Sequence, residues 1–372
     1  MIYAAEYVLP GHPDKLCDAI ADALVEEAAR REEQALCGVE VAVHRCAVFV
    51  TGRIACRDAE TIDVPHIVRE VYASAGYDNP WHPQSEELSI HTDLCLGALN
   101  EGEAEFRSIA DDQSIVTGYA VDLPGTNYLP PEQWLAARLA TQLRQLRTQR
   151  PDLQLGPDGK VLVLLESEGD RWCLTGFSTS LHHAPDTNPI ELHRAILNLL
   201  GRQLAEAEAA IPGFDPKLPE TVIVNGAGNF VVGGPEGDNG LSGKKLVVDA
   251  YGPRVAIGGG ALSGKDFFKA DRAGAILARR LAKAAVMTGA ALECRATLAF
   301  FPGATAAKIV SLTNERGEQL DAGRWGRLMN LSLQSVGCRY ARTPNLAEVA
   351  RWGHFTLLDR PWERISLNGA EI

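Results

Sequence analysis

The chain has 372 residues, 46% of them hydrophobic and 23% charged, an ordinary globular composition with length for two or three structural units. Its 36 Lys+Arg against 48 Asp+Glu give a formal net charge of -12, which argues against a general electrostatic grip on nucleic acid or an anionic membrane. No basic n-region with an apolar run opens the chain, no stretch of about 18 apolar residues occurs, and the eight cysteines contain no CxxC pair. The expectation is a cytoplasmic protein with reduced, mostly buried thiols, without structural zinc or a disulfide framework.

In chain order, a helix is predicted over 13–31. Leu16, Ile20, Ala23, Leu24 and Ala28 fall on one stripe, and Pro13 suits the first turn. Residues 39–54 read as strand, with Val39, Val41 and Val43 alternating. A helix over 62–75 and a strand over 87–96 follow. Residues 97–112, rich in Gly, Glu and Ala, are expected to form a mobile loop. Next come a helix over 131–148 carrying Leu135, Leu139, Leu143 and Leu146, strands over 160–166 and 172–181, and a helix over 188–208. A strand over 221–224, a glycine-rich region, a helix over 270–288, strands over 294–301 and 307–313 and a helix over 321–335 complete the chain. Paired strands followed by a helix recur about three times, without residue-level repeats. The order lacks strict βαβα alternation, so the predicted class is α+β. The units are placed at 1–120, 121–225 and 226–372, the last holding the glycine-rich loops.

The chemistry concentrates in 225–272. Two glycine clusters, GGPEGDNGLSGKK (233–245) and GGGALSGKD (258–266), each close on Ser-Gly-Lys, and Lys269 and Asp271 follow the second. Glycine lets backbone N–H groups approach phosphate oxygens closely. Lys244, Lys245, Lys265 and Lys269 in an acidic protein call for a strong anion, and triphosphate fits. The plainer reading is a set of glycine turns with solvated lysines. Neither GxGxxG after a strand nor GxxxxGK[ST] occurs, against Rossmann and Walker-type sites. In GHPDK (11–15), His12 is kept extended by the following proline, and Asp14 and Lys15 open a helix. That is a phosphate and metal corner, or a helix start that Asp14 merely caps. PDGK (157–160) alone reads as a β-turn, and Asp111-Asp112-Gln113 as a polar loop.

These four segments, in this order, resemble the S-adenosylmethionine synthetase (methionine adenosyltransferase) family from about Glu6 to Glu363. GHPDK is similar to the family's opening signature. GGPEGDNGLSGKKLVVDAYG (233–252) and GGGALSGKDFFKADR (258–272) are similar to its two central ones, and GHF…PWE (353–363) to its end. The resemblance implies three similar, intertwined α+β domains with pseudo-threefold symmetry. It implies a cytoplasmic transferase that joins ATP and L-methionine by sulfur attack on the ribose 5′ carbon. The enzyme then hydrolyses tripolyphosphate to phosphate and diphosphate. Two Mg2+ per site and K+ are implied. So is a homodimer or homotetramer with sites at the dimer interface, and no nucleic-acid or membrane partner. The implied catalytic residues are His12, Lys160, Lys265 and Asp271. Asp14 and Asp271 would hold Mg2+, and Glu40 K+. The implied ATP contacts are His12, Asp112, Asp158, Gly159, Lys160, Asn229, Phe230 (stacked on adenine), Asp238, Lys244, Lys245, Ala261 and Lys265. Arg53, Asp238 and Lys269 fall in the methionine subsite.

The sequence departs from the family pattern in several places. Val8-Leu9-Pro10 precede Gly11 where a glutamate is usual. Asn229 and Lys244 replace arginines, and Ile257 a histidine. Arg53 stands where the family has the glutamate that meets the methionine ammonium, and 90–108 lack the usual glutamine. The ATP half reads as intact and the methionine half as rebuilt. Two further readings stay open: the same ATP chemistry with another nucleophile or water, and a non-catalytic nucleotide-binding paralogue.

Overall fold

The computed structural model describes residues 1–365. Strand β1 (Ile2–Val8) leads into helix α1 (Pro13–Arg31). His12 caps the helix: it is extended ahead of Pro13, and its Nδ1 accepts the Asp14 N–H at 3.2 Å. Strands β2 (Leu36–His44) and β3 (Ala47–Ala55), helix α2 (Val64–Ala75) and strands β4 (Ser89–Gly97) and β5 (Ser114–Val121) follow. Next are α3 (Pro131–Gln149), β6 (Leu155–Glu168), β7 (Arg171–His183), α4 (Pro189–Ala210), β8 (Phe214–Asp215) and β9 (Thr221–Val224). The chain continues with β10 (Gly240–Leu241), α5 (Leu246–Asp249), α6 (Ala270–Met287), β11 (Glu293–Phe300) and β12 (Lys308–Thr313). Helices α7 (Ala322–Leu328), α8 (Leu333–Tyr340) and α9 (Leu346–Trp352) end the described elements.

The strands form three sheets, ordered β1-β6-β7-β8 with β9 also on β7, β10-β2-β3-β4, and β12-β11-β5. The mixed α+β class follows directly. The first 121 residues supply strands to all three sheets. β1 pairs with β6 (Val8 opposite Lys160) and β5 with β11. Period-two alternation decides which face each sheet buries. In β2, Val39, Val41 and Val43 point into the core, while Glu40 and His44 are exposed. α1 packs on this sheet with α2 against α1, α3 and α4 pack on the first sheet, and α6 on the third. The opposite faces carry uncovered apolar side chains. Leu241, Ala42, Phe49 and His91 line up across strands, with the Phe49 and His91 rings stacked at 5.0 Å. Leu162 and Ile223 on the first sheet and Ile115 on the third are exposed too.

Three expectations need correction. The helix predicted over 321–335 is two helices. Met329 turns extended, and Ser332 starts a new cap by accepting the Ser335 N–H at 3.2 Å. PDGK is not a turn but the irregular start of β6, where the register shifts between Leu155 and Gly159 and Asp158 accepts the Gly234 N–H at 2.8 Å. Residues 97–112 form a tied-down strap. It holds a short 3-10 turn (Glu103–Arg107) and three ion pairs, Arg53–Glu103, Arg107–Asp266 and Lys269–Asp111. Composition marks such a segment as loose because its partners lie far away in sequence. The last unit read from the sequence extends over 366–372, which lie outside the described residues.

Candidate active site

Both glycine loops dock on the same edge of β2. Gly240 and Leu241 pair with Val43 and Ala42, and the Ser242 N–H donates to the Val41 carbonyl at 2.9 Å. Two residues along, the Val39 N–H donates to the Gly264 carbonyl at 2.9 Å, and Gly38 bridges to Lys265. The nearest docking points therefore sit roughly 7 Å apart along the strand. They also touch directly: a Cβ on Gly243 would lie 2.6 Å from the Ala261 Cβ. Glu40 projects between the two docking points, its Oε2 accepting the Ser242 hydroxyl at 2.7 Å.

The first loop joins the GHPDK corner. Asp14 is buried, accepts the Leu241 N–H at 3.1 Å, and lies 3.3 Å from Lys245 Nζ and 3.7 Å from Lys244 Nζ. The β1–β6 pairing brings Lys160 here, with the Leu9 N–H donating to the Gly159 carbonyl at 2.9 Å. Burial, and then the Lys160 and Lys245 ammoniums, push the His12 pKa down to about 3. His12 is therefore neutral across the working pH range. Asp158 is buried with Oδ1 unpartnered, and burial raises its pKa to about 6. Asp238 is exposed and accepts the Asn239 N–H at 2.8 Å.

The second loop joins the start of α6. Asp271, in the first helical turn, is 2.5 Å from Lys265 Nζ and accepts the Ser114 hydroxyl at 2.5 Å. Gly260 lies so close that any Cβ there would meet the Asp271 carboxylate. Lys269 pairs with Asp111, whereas the predicted Asp112 is exposed and accepts the N–H of its own neighbour, Gln113, at 2.7 Å.

The remaining predicted residues lie apart from both clusters in their polar contacts. Phe230 is half-buried on the β9–β10 connection beside exposed Asn229. Its backbone pairs with His183 (3.0 Å), and its ring lies 5.6 Å from that of His182. A cavity of about 490 Å3 opens next to it, lined by Trp81, His182, His183 and Val232 among others. Arg53 on β3 forks onto Glu103 (2.9 and 3.2 Å) and donates to the carbonyls of Ala98 (2.6 Å) and Cys95 (3.2 Å). The fork from Arg53, helped by the Asn100 N–H, holds the Glu103 carboxyl down to about 2. Ser114, His182 and His183 escaped the sequence reading, which named Asp111 only as part of a polar loop. Their only signal was proximity to residues it had singled out.

Carboxylate oxygens suit hard cations. Among the described residues no cluster of three or more His, Cys, Asp and Glu forms a metal cage. Mg2+ commonly takes one or two carboxylates and completes its shell with substrate phosphates and water. Asp14 and Asp271, each with lysines as its present counter-charge, fit that mode.

A titration checks the electrostatics. In the free protein the His12 ring is expected not to protonate between pH 8 and pH 5, because burial and lysine charge both oppose a second proton. Tripolyphosphate offsets the lysines, so its addition raises the pKa. Histidine NMR, assigned by comparison with His12→Gln, reads this directly. Titration of the unliganded ring near 6.5 would refute the arrangement.

The model for the S-adenosylmethionine synthetase N-terminal domain matches residues 1–95, and that for the C-terminal domain matches residues 232–364. Proteins named S-adenosylmethionine synthase are similar over almost the whole chain. The one from Petrotoga mobilis is 31% identical, that from Desulforudis audaxviator 32% and that from Corynebacterium kroppenstedtii 30%. Each alignment covers 98% of this chain and 96% of the relative.

Proposed function

The chain belongs to the S-adenosylmethionine synthetase family, and on that premise we propose that it is a methionine adenosyltransferase. It forms S-adenosylmethionine from ATP and L-methionine, then hydrolyses tripolyphosphate to phosphate and diphosphate. The observation that carries this reading is the docking of two lysine-bearing glycine loops on one strand edge, each beside a carboxylate.

The reaction needs what these residues supply. A sulfur lone pair forms the bond to C5′. The C5′–O bond breaks, and its electron pair leaves on tripolyphosphate. A neutral thioether needs no base, so the demand falls on preorganised positive charge at the leaving group. Lys160, Lys244, Lys245 and Lys265 meet it. Neutral His12 donates a hydrogen bond without adding charge. Asp14 and Asp271 would hold Mg2+, which when bound neutralises phosphate charge. Glu40, between the loops, is the candidate K+ ligand. Phe230 offers a face to adenine, with Asn229, Ala261, Asp158 and Gly159 in the nucleotide pocket. Asp112 and Asp238 are assigned to adenosine and ribose, and Lys269 to the methionine carboxylate. Among the described residues no helix is long and apolar enough to cross a membrane, and we place the protein in the cytoplasm.

Product mass spectrometry with ATP, Mg2+, K+ and methionine tests this reading, with tetramethylammonium as the control for K+. A mass for S-adenosylmethionine is the expected result. ATP breakdown without it would favour the second reading, the same chemistry with another nucleophile or water. The pairing of Arg53 with Glu103 is the feature that favours that alternative. Retention of His12, Asp14, Lys160, Lys265 and Asp271 together speaks against a non-catalytic paralogue.

The assembly is proposed to be a homodimer or a pair of dimers with sites between subunits. The uncovered sheet faces bearing Phe49, Leu162 and Ile115 support this, since apolar faces of that kind are normally buried by a partner. Light scattering is expected to give at least twice the 40.1 kDa chain mass. An active monomer would rule it out.

A further inference from the structure

Helix α1 carries Asp14, Asp18 and Asp22 at successive i, i+4 positions, so three carboxylates stand about 6 Å apart along one face. Each accepts one backbone N–H from a glycine loop. The donors are Leu241 to Asp14 (3.1 Å), Gly243 to Asp18 (2.8 Å) and Gly264 to Asp22 (2.9 Å). Gly243 (φ +73°) and Gly264 (φ +85°) are both left-handed, and a Cβ on either would strike Ala261 or the Val39 carbonyl. Glycine is therefore required at the two points where the loops turn an N–H toward the helix.

Asp18 and Asp22 are both 0% exposed. Burying a carboxylate costs several kcal/mol unless it is paired and hydrogen-bonded, and here the partners are specific. Lys15 Nζ lies 3.0 Å from Asp18 and 2.7 Å from Asp249. Arg272 forks onto Asp22 at 2.7 and 2.9 Å and also donates to the Lys265 carbonyl at 2.8 Å. The backbone at Lys265 is thus held on both sides, by the Gly264 N–H on Asp22 and by its own carbonyl on Arg272. One rigid helix fixes the first loop through Asp18 and the second through Asp22.

We propose that Asp18 and Asp22 are positioning residues that use helix α1 as a ruler, setting the spacing of Lys244 and Lys245 against Lys265 for a polyphosphate. The proposal rests on the reading that these loops bind triphosphate. It treats the pair as more than fold-stabilising ions, because one oxygen of each also accepts the N–H of the glycine directly before a loop lysine.

The sign of a binding change separates positioning from charge. Burial raises the Asp18 pKa to about 7, so the comparison is made above pH 8. There, removing its buried negative charge should, by Coulomb attraction alone, tighten a polyanion whatever replaces it. Positioning makes the replacement matter. Calorimetry with Mg2+ and inorganic tripolyphosphate on the full chain is the test. Asp18→Asn keeps an acceptor for the Gly243 N–H and is expected to bind at least as tightly as the parent. Asp18→Ala loses the acceptor and is expected to bind about tenfold more weakly, the size of one lost hydrogen bond. Amide hydrogen exchange of 243–245 should quicken in Asp18→Ala but not in Asp18→Asn. If Asp18→Ala does not fold, Asp18→Leu, which fills the volume without an acceptor, is read in the same way. Asp18→Ala or Asp18→Leu binding within threefold of the parent, or Asp18→Asn weakened equally with Asp18→Ala, overturns the proposal. A parent that binds no tripolyphosphate overturns it together with the triphosphate reading, whereas an effect confined to the variants' thermal midpoint overturns it alone.

Discussion

Lys265→Ala is expected to slow ATP-dependent phosphate release by on the order of 100-fold or more, the usual cost of removing one preorganised charge from a developing anion. Three features make this the most sensitive lysine. Its backbone is clamped between Asp22 and Arg272, so the ammonium starts from a fixed point. Its Nζ lies 2.5 Å from Asp271 Oδ2 and is already oriented toward the metal-binding carboxylate of the proposed site. Alanine would leave Asp271 with the Ser114 hydroxyl but no counter-cation, adding a repulsive carboxylate beside an incoming polyanion. Lys244, by contrast, is 46% exposed in its side chain and 3.7 Å from Asp14, so its loss should cost less. Phosphate release by Lys265→Ala within about threefold of the parent would end the assignment.

Local signals carried much of the fold. The proline and apolar stripe of α1 mark its start and buried face, and period-two alternation in β2 marks which side of that strand is core. The loops advertised themselves through glycine and lysine. What stayed hidden depends on where the chain returns. Asp18 and Asp22 look in sequence like the solvated face of an amphipathic helix. Two loops more than two hundred residues away lay their N–H groups across that face, and Arg272 closes over Asp22. Asp111 and Asp112 cannot be told apart by composition, yet one pairs with Lys269 and the other faces solvent. The break between α7 and α8 turns on Ser332 capping a new helix, a choice that periodicity averaged over fifteen residues blurs. PDGK has a strong turn composition and is still drawn into a strand, because β1 pairs alongside its end and Gly234 satisfies Asp158.

Arg53 gives the second large expectation, and it concerns the nucleophile. The family resemblance puts a glutamate at this position, opposite the methionine ammonium; here the charge is reversed. The guanidinium is not loose. Glu103 neutralises it, and the Ala98 and Cys95 carbonyls fix its direction, so it staples the 97–103 strap to β3. No acid occurs between Val41 and Cys56 to take over the missing role from a neighbouring position. Methionine is therefore expected to be used weakly, with a raised KM. Arg53→Glu should lower that KM. Alone, the new carboxylate would face Glu103 and be pushed from the site by like-charge repulsion. Adding Glu103→Gln removes the repulsion, and the double variant should show the larger fall, about tenfold, the worth of one regained charge-assisted contact. The KM for ATP should stay within about twofold in both, since neither lysine loop contacts Arg53 through a hydrogen bond. Steady-state kinetics at varied methionine decides it. If the double variant leaves the methionine KM unchanged or raises it, Arg53 does not border the ammonium, and the second substrate must be sought elsewhere on this scaffold.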